Sequence, residues 1–168
     1  DPVGKEYDKR RLFNSDTTTL EEEIKILAKV PLLYQPKANW RYSVSMDVLA
    51  RIIEIARGES LQNILEKRIF SPLNMKDTSF TVSSNNHNRV MTSYEFDPVK
   101  MKLSELISDP QKIGNYGYPL NVSSYARGGH GLFSTLHDYS IFAKMLHNGQ
   151  SENGNQILAQ QTLNLIST

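Results

Sequence analysis

The strongest constraint on the fold is a succession of short amphipathic helices whose ends are marked in the sequence. The apolar residues of positions 45–57 recur at helical spacing and form one broad stripe. They are Val48, Leu49, Ile52, Ile53 and Ala56. Gly58 fits the position just past the end of this helix, and Ser60 can cap the next one, which is predicted to end before Pro72. Because few residues join the two helices, we expect them to pack as neighbours.

A capping box predicts an earlier helix. Thr19 stands three residues before Glu22, so the two residues can satisfy each other's free backbone N–H groups. Apolar side chains then fall on one face, and Pro31 ends the run. These side chains are Leu20, Ile24 and Leu27.

A later helix follows a glycine-rich turn at residues 128–131. Thr135 is its predicted N-cap, and Asp138 lies in the first turn, where the helix dipole favours an acid. Gly149 fits just past its end. The side chains predicted to face the core are Leu136, Phe142, Ala143 and Leu146.

Between these helical regions the period changes to two. Apolar residues alternate with polar ones on both sides of a turn signal at Asp97-Pro98, which predicts a β-hairpin or strand pair. The alternating residues are Val90, Thr92, Tyr94 and Phe96, then Met101 and Leu103. The expected fold class is therefore mostly α with a small antiparallel β element (α+β). Residues 1–168 are expected to form a single partial domain, with no second domain and with both ends cut rather than finished.

Composition argues against several classes of protein. Nineteen basic and eighteen acidic residues are spread along the chain, which gives no electrostatic case for nucleic acid. No apolar run approaches the roughly 20 residues of a transmembrane helix. The absence of cysteine excludes disulfides and thiolate sites. The four histidines form no ligand pattern and no lysine follows the glycine turn in phosphate-binding register, so we expect neither a metal nor a cofactor.

Three motifs in order resemble the serine β-lactamase-related family. They are Tyr42-Ser43 ahead of an apolar helix, residues 72–80, and residues 128–135 followed by Asp138-Tyr139. This group includes class C β-lactamases, penicillin-binding DD-peptidases and carboxylesterases built on the same scaffold. The resemblance covers about residues 20–166. It implies the helical region and part of the α/β core of a β-lactamase/transpeptidase-like fold.

The resemblance implies a catalytic role for Tyr42. In the family mechanism, the serine of a Ser-x-x-Lys motif attacks an acyl carbonyl and a tyrosine exchanges protons with it. Since a free phenol is protonated at neutral pH, neighbouring lysine ammonium groups must favour the phenolate. From its own neighbours in the sequence, Tyr42 would otherwise be interpreted as a half-buried aromatic at the entry of a helix.

Three departures from the family pattern shape the functional prediction. No Ser-x-x-Lys occurs in the sequence; Ser140 is followed by Lys144, one residue too far, and the late Lys-Thr-Gly is also missing. We therefore expect the nucleophile and the oxyanion strand to lie in missing N- and C-terminal parts of the same fold, and the 168-residue chain alone to be inactive. Val44 stands where β-lactamases usually carry an asparagine, which favours an esterase over a β-lactamase.

Three further residues are candidates near the substrate. Trp40 is a possible wall of the substrate site or a packing residue, Val44 replaces the asparagine, and His130 either edges the cleft or is a solvated turn residue. The expected partner is a small acyl ester, a β-lactam or a peptidoglycan-like substrate.

Two other hypotheses stay open from sequence. The chain could belong to a family member that has lost catalysis and serves as a ligand-binding or regulatory module, or it could be an unrelated small helical interaction domain. A Ser-x-x-Lys upstream of residue 1 would separate the first of these from an enzyme. The compartment is not fixed by the sequence; a bacterial periplasmic or secreted location is compatible with it.

Overall fold

The computed structural model describes residues 2–10, 12, 19–92, 94–105 and 126–167. The chain divides into two compact units, each built from two separate segments. The first unit contains Asp1–Ser43 and Thr81–Tyr125, and the second contains Val44–Phe80 and Ala126–Thr168. The expectation of a single partial domain stays a prediction.

The first unit begins with two helices, α1 (Pro2–Lys9) and α2 (Leu20–Leu27). The capping box predicted for α2 is confirmed: Thr19 Oγ1 accepts the N–H of Glu22 at 3.2 Å, and Glu22 Oε2 accepts the N–H of Thr19 at 3.0 Å. Helix α1 was not predicted, because its residues have no apolar periodicity; an ion pair between Arg10 and Glu6 supports it at 3.1 Å.

The predicted hairpin is present but shorter than its sequence pattern. Strands β1 (Tyr94–Asp97) and β2 (Lys102–Glu105) pair antiparallel. The alternation suggested a start at Val90, but a 3₁₀ helix over Ser84–Arg89 comes first, and the N–H of Val90 bonds to the carbonyl of His87 at 3.2 Å. That hydrogen bond ends the 3₁₀ helix, so the N–H of Val90 is not available to pair with a neighbouring strand.

Asp97 organises the turn of the hairpin. Its Oδ1 accepts the N–H groups of Val99 at 2.9 Å and Lys100 at 3.0 Å, and its Oδ2 lies 3.2 Å from Lys100 Nζ. The backbone hydrogen bond from Lys100, followed by its side chain, lowers the pKa of Asp97 below its ordinary value. This explains the turn signal in terms of side chain to backbone bonding.

The second unit is helical and contains most of the buried apolar residues among those that the structure describes. Its helices are α3 (Ser45–Arg57), α4 (Leu61–Leu65), α5 (Ser71–Leu73), α6 (Leu136–Asn148) and α7 (Gln160–Ile166). Gly58 and Gly149 end α3 and α6 in the left-handed conformation, as predicted. The buried core cluster consists of Phe70, Leu73, Met75, Ile141 and Met145. The predicted fold class is thus confirmed: the described residues are largely helical with a small antiparallel sheet.

Helices α3 and α4 contact each other, as the short connection predicted. Ser60 caps α4 by accepting the N–H of Asn63 at 3.3 Å, and Glu54 Oε1 reaches across from α3 to accept the N–H of Leu61 at 2.9 Å. The side chain of Glu54 therefore satisfies a free N–H group at the start of the neighbouring helix.

The prediction that this helical run ends before Pro72 was wrong. A π-helical turn, Glu66–Phe70, follows α4, and α5 continues through Pro72. The wide turn changes the hydrogen-bond register, so that the N–H of Ser71 bonds to the carbonyl of Glu66. Proline, which has no N–H, is accommodated immediately after this change. The helix ends instead at Asn74, whose φ of 58° is left-handed.

The predicted core faces of two helices were wrong in part. In α6 the prediction holds for Phe142, which packs against the core cluster. The buried residues of α6 are Asp138, Ile141 and Met145, whereas Leu136 is 87% exposed and Ala143 and Leu146 are exposed. In α3 the buried residues are Asp47 and Ala50, and the apolar side chains at Leu49 and Ile52 are exposed. In both helices an aspartate begins the buried stripe, so a pattern based on apolar residues alone selects the wrong face.

Candidate active site

The predicted site residues are divided between the two units. Trp40 and Tyr42 belong to the first unit, and Val44 and His130 belong to the second. The side chains of Trp40 and Tyr42 are each 85% exposed. The alternative interpretation of Tyr42 as a half-buried aromatic is therefore wrong for this chain, and its phenol is accessible.

Val44 is the N-cap of α3 and makes no side-chain capping bond. Its backbone has φ −87° and ψ 23°, in the sparsely populated bridge region that recurs at active sites. Its carbonyl accepts the N–H groups of Asp47 at 3.1 Å and Val48 at 3.3 Å. The valine side chain offers neither donor nor acceptor, so any polar contact at this position must come from the backbone.

The start of α3 is bound to the glycine-rich turn by a carboxylate. Asp47 is only 3% exposed, and its Oδ1 accepts the N–H of Gly128 at 3.2 Å, although the residues are 81 positions apart. Sequence reasoning missed Asp47. Two features of the sequence could have indicated it: an acid in the first turn of an amphipathic helix, and the glycine pair Gly128-Gly129, which can approach another backbone closely.

Gly128 is required for this close approach. A Cβ atom at this position would lie 2.0 Å from the carbonyl oxygen of Met46 and 2.9 Å from Cβ of Ala50. Both values are far below a van der Waals contact. The backbone of the turn therefore packs directly on the first turns of α3, which the sequence-based interpretation of a simple tight turn did not predict.

His130 lies at the exposed end of the same turn. Arg127 Nη1 is 3.0 Å from His130 Nε2, a contact in which the guanidinium donates and a neutral imidazole accepts. The pKa of His130 is lowered from 6.5, first by partial desolvation of the ring and second by the nearby Arg127 charge, while Asp47 acts in the opposite direction. The structure thus brings His130 close to the start of α3, the helix that Val44 caps.

A second buried carboxylate joins the other two motifs. Asp138 is 3% exposed, and its Oδ2 accepts the backbone N–H of Asp77 and the hydroxyl of Thr78, both at 2.8 Å. The hydroxyls of Thr78 and Ser134 are also 2.8 Å apart. Ser79 exchanges backbone hydrogen bonds with Phe133 at 3.1 and 2.8 Å. The two motifs therefore form one polar cluster that stabilises the second unit.

Removing the Asp138 carboxylate is expected to destabilise the fold. In Asp138→Ala the N–H of Asp77 and the hydroxyl of Thr78 lose their acceptor, and a buried unpaired donor costs about 1–3 kcal/mol. We expect the free energy of unfolding to fall by about 3 kcal/mol, measured by urea denaturation of the full-length protein. Glu152→Ala removes an exposed carboxylate of the same unit and should change it by less than about 0.5 kcal/mol. A loss below about 1 kcal/mol for Asp138→Ala would contradict the stabilising role of this carboxylate as acceptor for Asp77 and Thr78.

Within the described residues, no group of three or more histidine, aspartate or glutamate side chains is placed to hold a metal ion. Among the helices in that part of the chain, none is long and apolar enough to cross a membrane.

Comparison with known proteins identifies the family. A family model described as Beta-lactamase matches residues 4–168. Protein Rv1367c of Mycobacterium tuberculosis is 30% identical over 142 residues, which cover 84% of this chain and 33% of that protein. Esterase EstB of Burkholderia gladioli is 28% identical over 126 residues, which cover 71% of this chain and 32% of the esterase.

The solved structures agree on the fold. The structure of EstCE1, described as a hydrolase with promiscuous acyltransferase activity, matches with a TM-score of 0.67 and 23% identity, covering 88% of this chain and 39% of that one. The chain spans about a third of the length of the curated relatives it matches. With two of the three motifs joined in the second unit and a family match over nearly all of its length, the chain belongs to the Beta-lactamase family.

Proposed function

We propose that the protein containing this chain is a serine hydrolase that cleaves simple acyl esters through an acyl-enzyme, with Tyr42 as its acid–base group. The observation that carries the proposal is the Tyr42-Ser43-Val44 sequence at the N-terminus of α3, with an accessible phenol and an aliphatic N-cap. The serine and lysine of the nucleophile motif would come from a part of the protein outside these 168 residues, since no Ser-x-x-Lys occurs in them.

In this mechanism Tyr42 moves one proton twice. The phenolate takes the proton of the attacking serine hydroxyl as the Oγ–carbonyl bond forms. The phenol then gives this proton to the oxygen of the leaving alcohol as the ester C–O bond breaks. In the second half of the reaction, the phenolate takes a proton from water as the water oxygen attacks the acyl carbonyl. The phenol then gives this proton to the serine Oγ as the acyl–Oγ bond breaks, which releases the acid and regenerates the serine.

Esters are favoured over β-lactams for a chemical reason. A β-lactam is bound in part through its amide side chain, and the asparagine that usually contacts this amide is replaced by Val44. An ester substrate has no such amide, so an aliphatic side chain costs it nothing. The similarity to Esterase EstB supports the same preference.

A substrate panel on the full-length protein tests this proposal. We expect turnover of p-nitrophenyl acetate and butyrate, and a kcat/KM for nitrocefin that is lower by about 10²-fold or more because one or two hydrogen bonds to the amide are lost. Equal or faster nitrocefin hydrolysis would overturn the ester preference.

We expect the isolated 168-residue chain to hydrolyse none of these substrates. A tyrosine can transfer protons but cannot replace the missing serine as the acyl acceptor. Burst-phase release of p-nitrophenol by the chain alone would contradict this expectation. A full-length protein that folds and binds acyl ligands but lacks both Ser-x-x-Lys and turnover would instead identify the non-catalytic, ligand-binding member of the family.

A further inference from the structure

We propose that Asp47 is a positioning residue for Tyr42. Its carboxylate fixes the start of α3 against the turn formed by Gly128, Gly129 and His130, and Tyr42 precedes the N-cap of that helix by two residues. The inference rests on the proposed function, because it takes Tyr42 as the acid–base group of the enzyme.

The way in which Asp47 uses its hydrogen-bonding capacity is the first argument. Glu22 and Asp47 occupy the same third position of their helices, and Glu22 turns back to cap its own helix through Thr19. Asp47 instead bonds to the N–H of Gly128. Its helix is left with a valine N-cap and no side-chain cap. The Asp47 carboxylate therefore binds the turn. It does not cap its own helix, as the carboxylate of Glu22 does.

The cost of burial is the second argument. An ionised carboxylate that is 3% exposed is expensive unless donors and positive charge compensate it. Here the compensation comes from the Gly128 N–H and from the positive end of the α3 dipole. The Gly128 N–H is available only when the turn packs on the helix, so loss of that contact leaves the buried carboxylate with less compensation.

The junction also has little room to move. The backbone of Met46 blocks any side chain at Gly128, and Asp47 Oδ2 would lie 3.0 Å from a Cβ on Gly129. The turn thus contacts the helix through both backbone and carboxylate. Since only Ser43 separates Tyr42 from the N-cap, a shift of the helix start displaces the tyrosine backbone. Displacement of a proton-transfer group by about 1 Å can cost 10²-fold in rate.

The charge of Asp47 can be separated from its geometry. His130 and Arg127 are the other ionisable groups at the turn. Partial desolvation and then the Arg127 charge lower the pKa of His130, and the Asp47 charge opposes this shift. Asp47→Asn retains an oxygen that can accept from Gly128 but removes the charge, whereas Asp47→Ala removes both. A positioning role through geometry predicts that asparagine preserves activity and alanine does not.

The test measures kcat and KM of the full-length enzyme on p-nitrophenyl butyrate, corrected for the folded fraction. We expect Asp47→Ala to lower kcat by about 10–100-fold with KM within about threefold, as for other residues that orient a reacting group, and Asp47→Asn to stay within about threefold of the parent. In the Tyr42→Phe background, Asp47→Ala should have almost no further effect on kcat. Asp138→Ala, the matched buried carboxylate, should lower stability without changing kcat per folded molecule.

The outcomes separate this inference from the proposed function. Unchanged kcat in Tyr42→Phe would overturn the proposed mechanism and the positioning role together. A strong effect of Tyr42→Phe together with unchanged kcat in Asp47→Ala would overturn the positioning role alone. So would an Asp47→Ala substitution that lowers kcat by the same factor in the parent and in the Tyr42→Phe background. If Asp47→Ala does not fold, Gly129→Ala decides, because its methyl group displaces the carboxylate. It should lower kcat severalfold with Tyr42 present, and no loss there would contradict the inference.

Discussion

Replacing Tyr42 by phenylalanine in the full-length protein is expected to lower kcat for p-nitrophenyl butyrate by about 10²–10⁴-fold, with little change in KM. The substitution removes one oxygen from a side chain that is 85% exposed in this chain, so packing and folding should be preserved. A group that transfers protons in the transition state contributes little to binding of the ground state, which is why the loss should fall on kcat.

Tyr34→Phe is a matched control for this experiment. Tyr34 is another exposed tyrosine of the first unit, eight residues before Tyr42, and it lies outside the motif. Its replacement should leave kcat within about twofold, as expected for a surface substitution away from the site. Equal rates for the parent and Tyr42→Phe, with both proteins folded by circular dichroism, would remove Tyr42 from the mechanism.

The second large effect is expected for Gly128→Ala. The added methyl group would lie 2.0 Å from the Met46 carbonyl oxygen, which is backbone and cannot rotate away. The turn must then separate from α3, and the hydrogen bond from Gly128 to the buried Asp47 carboxylate is lost with it. Loss of a donor to a buried charge costs about 3 kcal/mol or more, so the free energy of unfolding of the full-length protein should fall by at least that amount.

Gly129→Ala provides the comparison for this prediction. It makes the same chemical change at the next residue of the same turn, but its methyl group meets the Asp47 side chain at 3.0 Å instead of a backbone carbonyl. A side chain can shift by a few tenths of an ångström, so the expected loss is about 1 kcal/mol. Thermal denaturation of both variants measures the difference. Equal stability of the two variants would show that the turn does not pack on α3 as described.

Helix boundaries could be predicted because their causes are local. Thr19 and Thr135 accept hydrogen bonds from residues three positions later, and Gly58 and Gly149 adopt the left-handed conformation at helix ends. Each signal depends on a few neighbouring residues, so the sequence carries it in full. The π-helical turn before Pro72 is the exception: Phe70 and Leu73 are buried in a core formed with residues distant in the sequence, which a local pattern does not signal.

The buried carboxylates could not be predicted, because their partners are distant in the sequence. Asp47 bonds to a residue 81 positions away and Asp138 to one 60 positions away. Asp138 lies in the first turn of α6, as predicted, but its bonds to Asp77 and Thr78, which accompany its burial, were not predicted. The motif around Tyr42 could be recognised without this knowledge, whereas the residues that hold it in place could not.

The discontinuity of the second unit has a consequence for how members of this family can diversify. The segment Thr81–Tyr125 leaves the second unit after Phe80 and returns to it at Ala126. The exit and the return are joined by the paired backbone bonds of Ser79 with Phe133 and by the Asp138 cluster. The entropy of closing a loop grows only with the logarithm of its length, so residues added within the segment would cost the second unit little. Evolution can therefore lengthen or replace this segment while the helix that follows Tyr42 keeps its support.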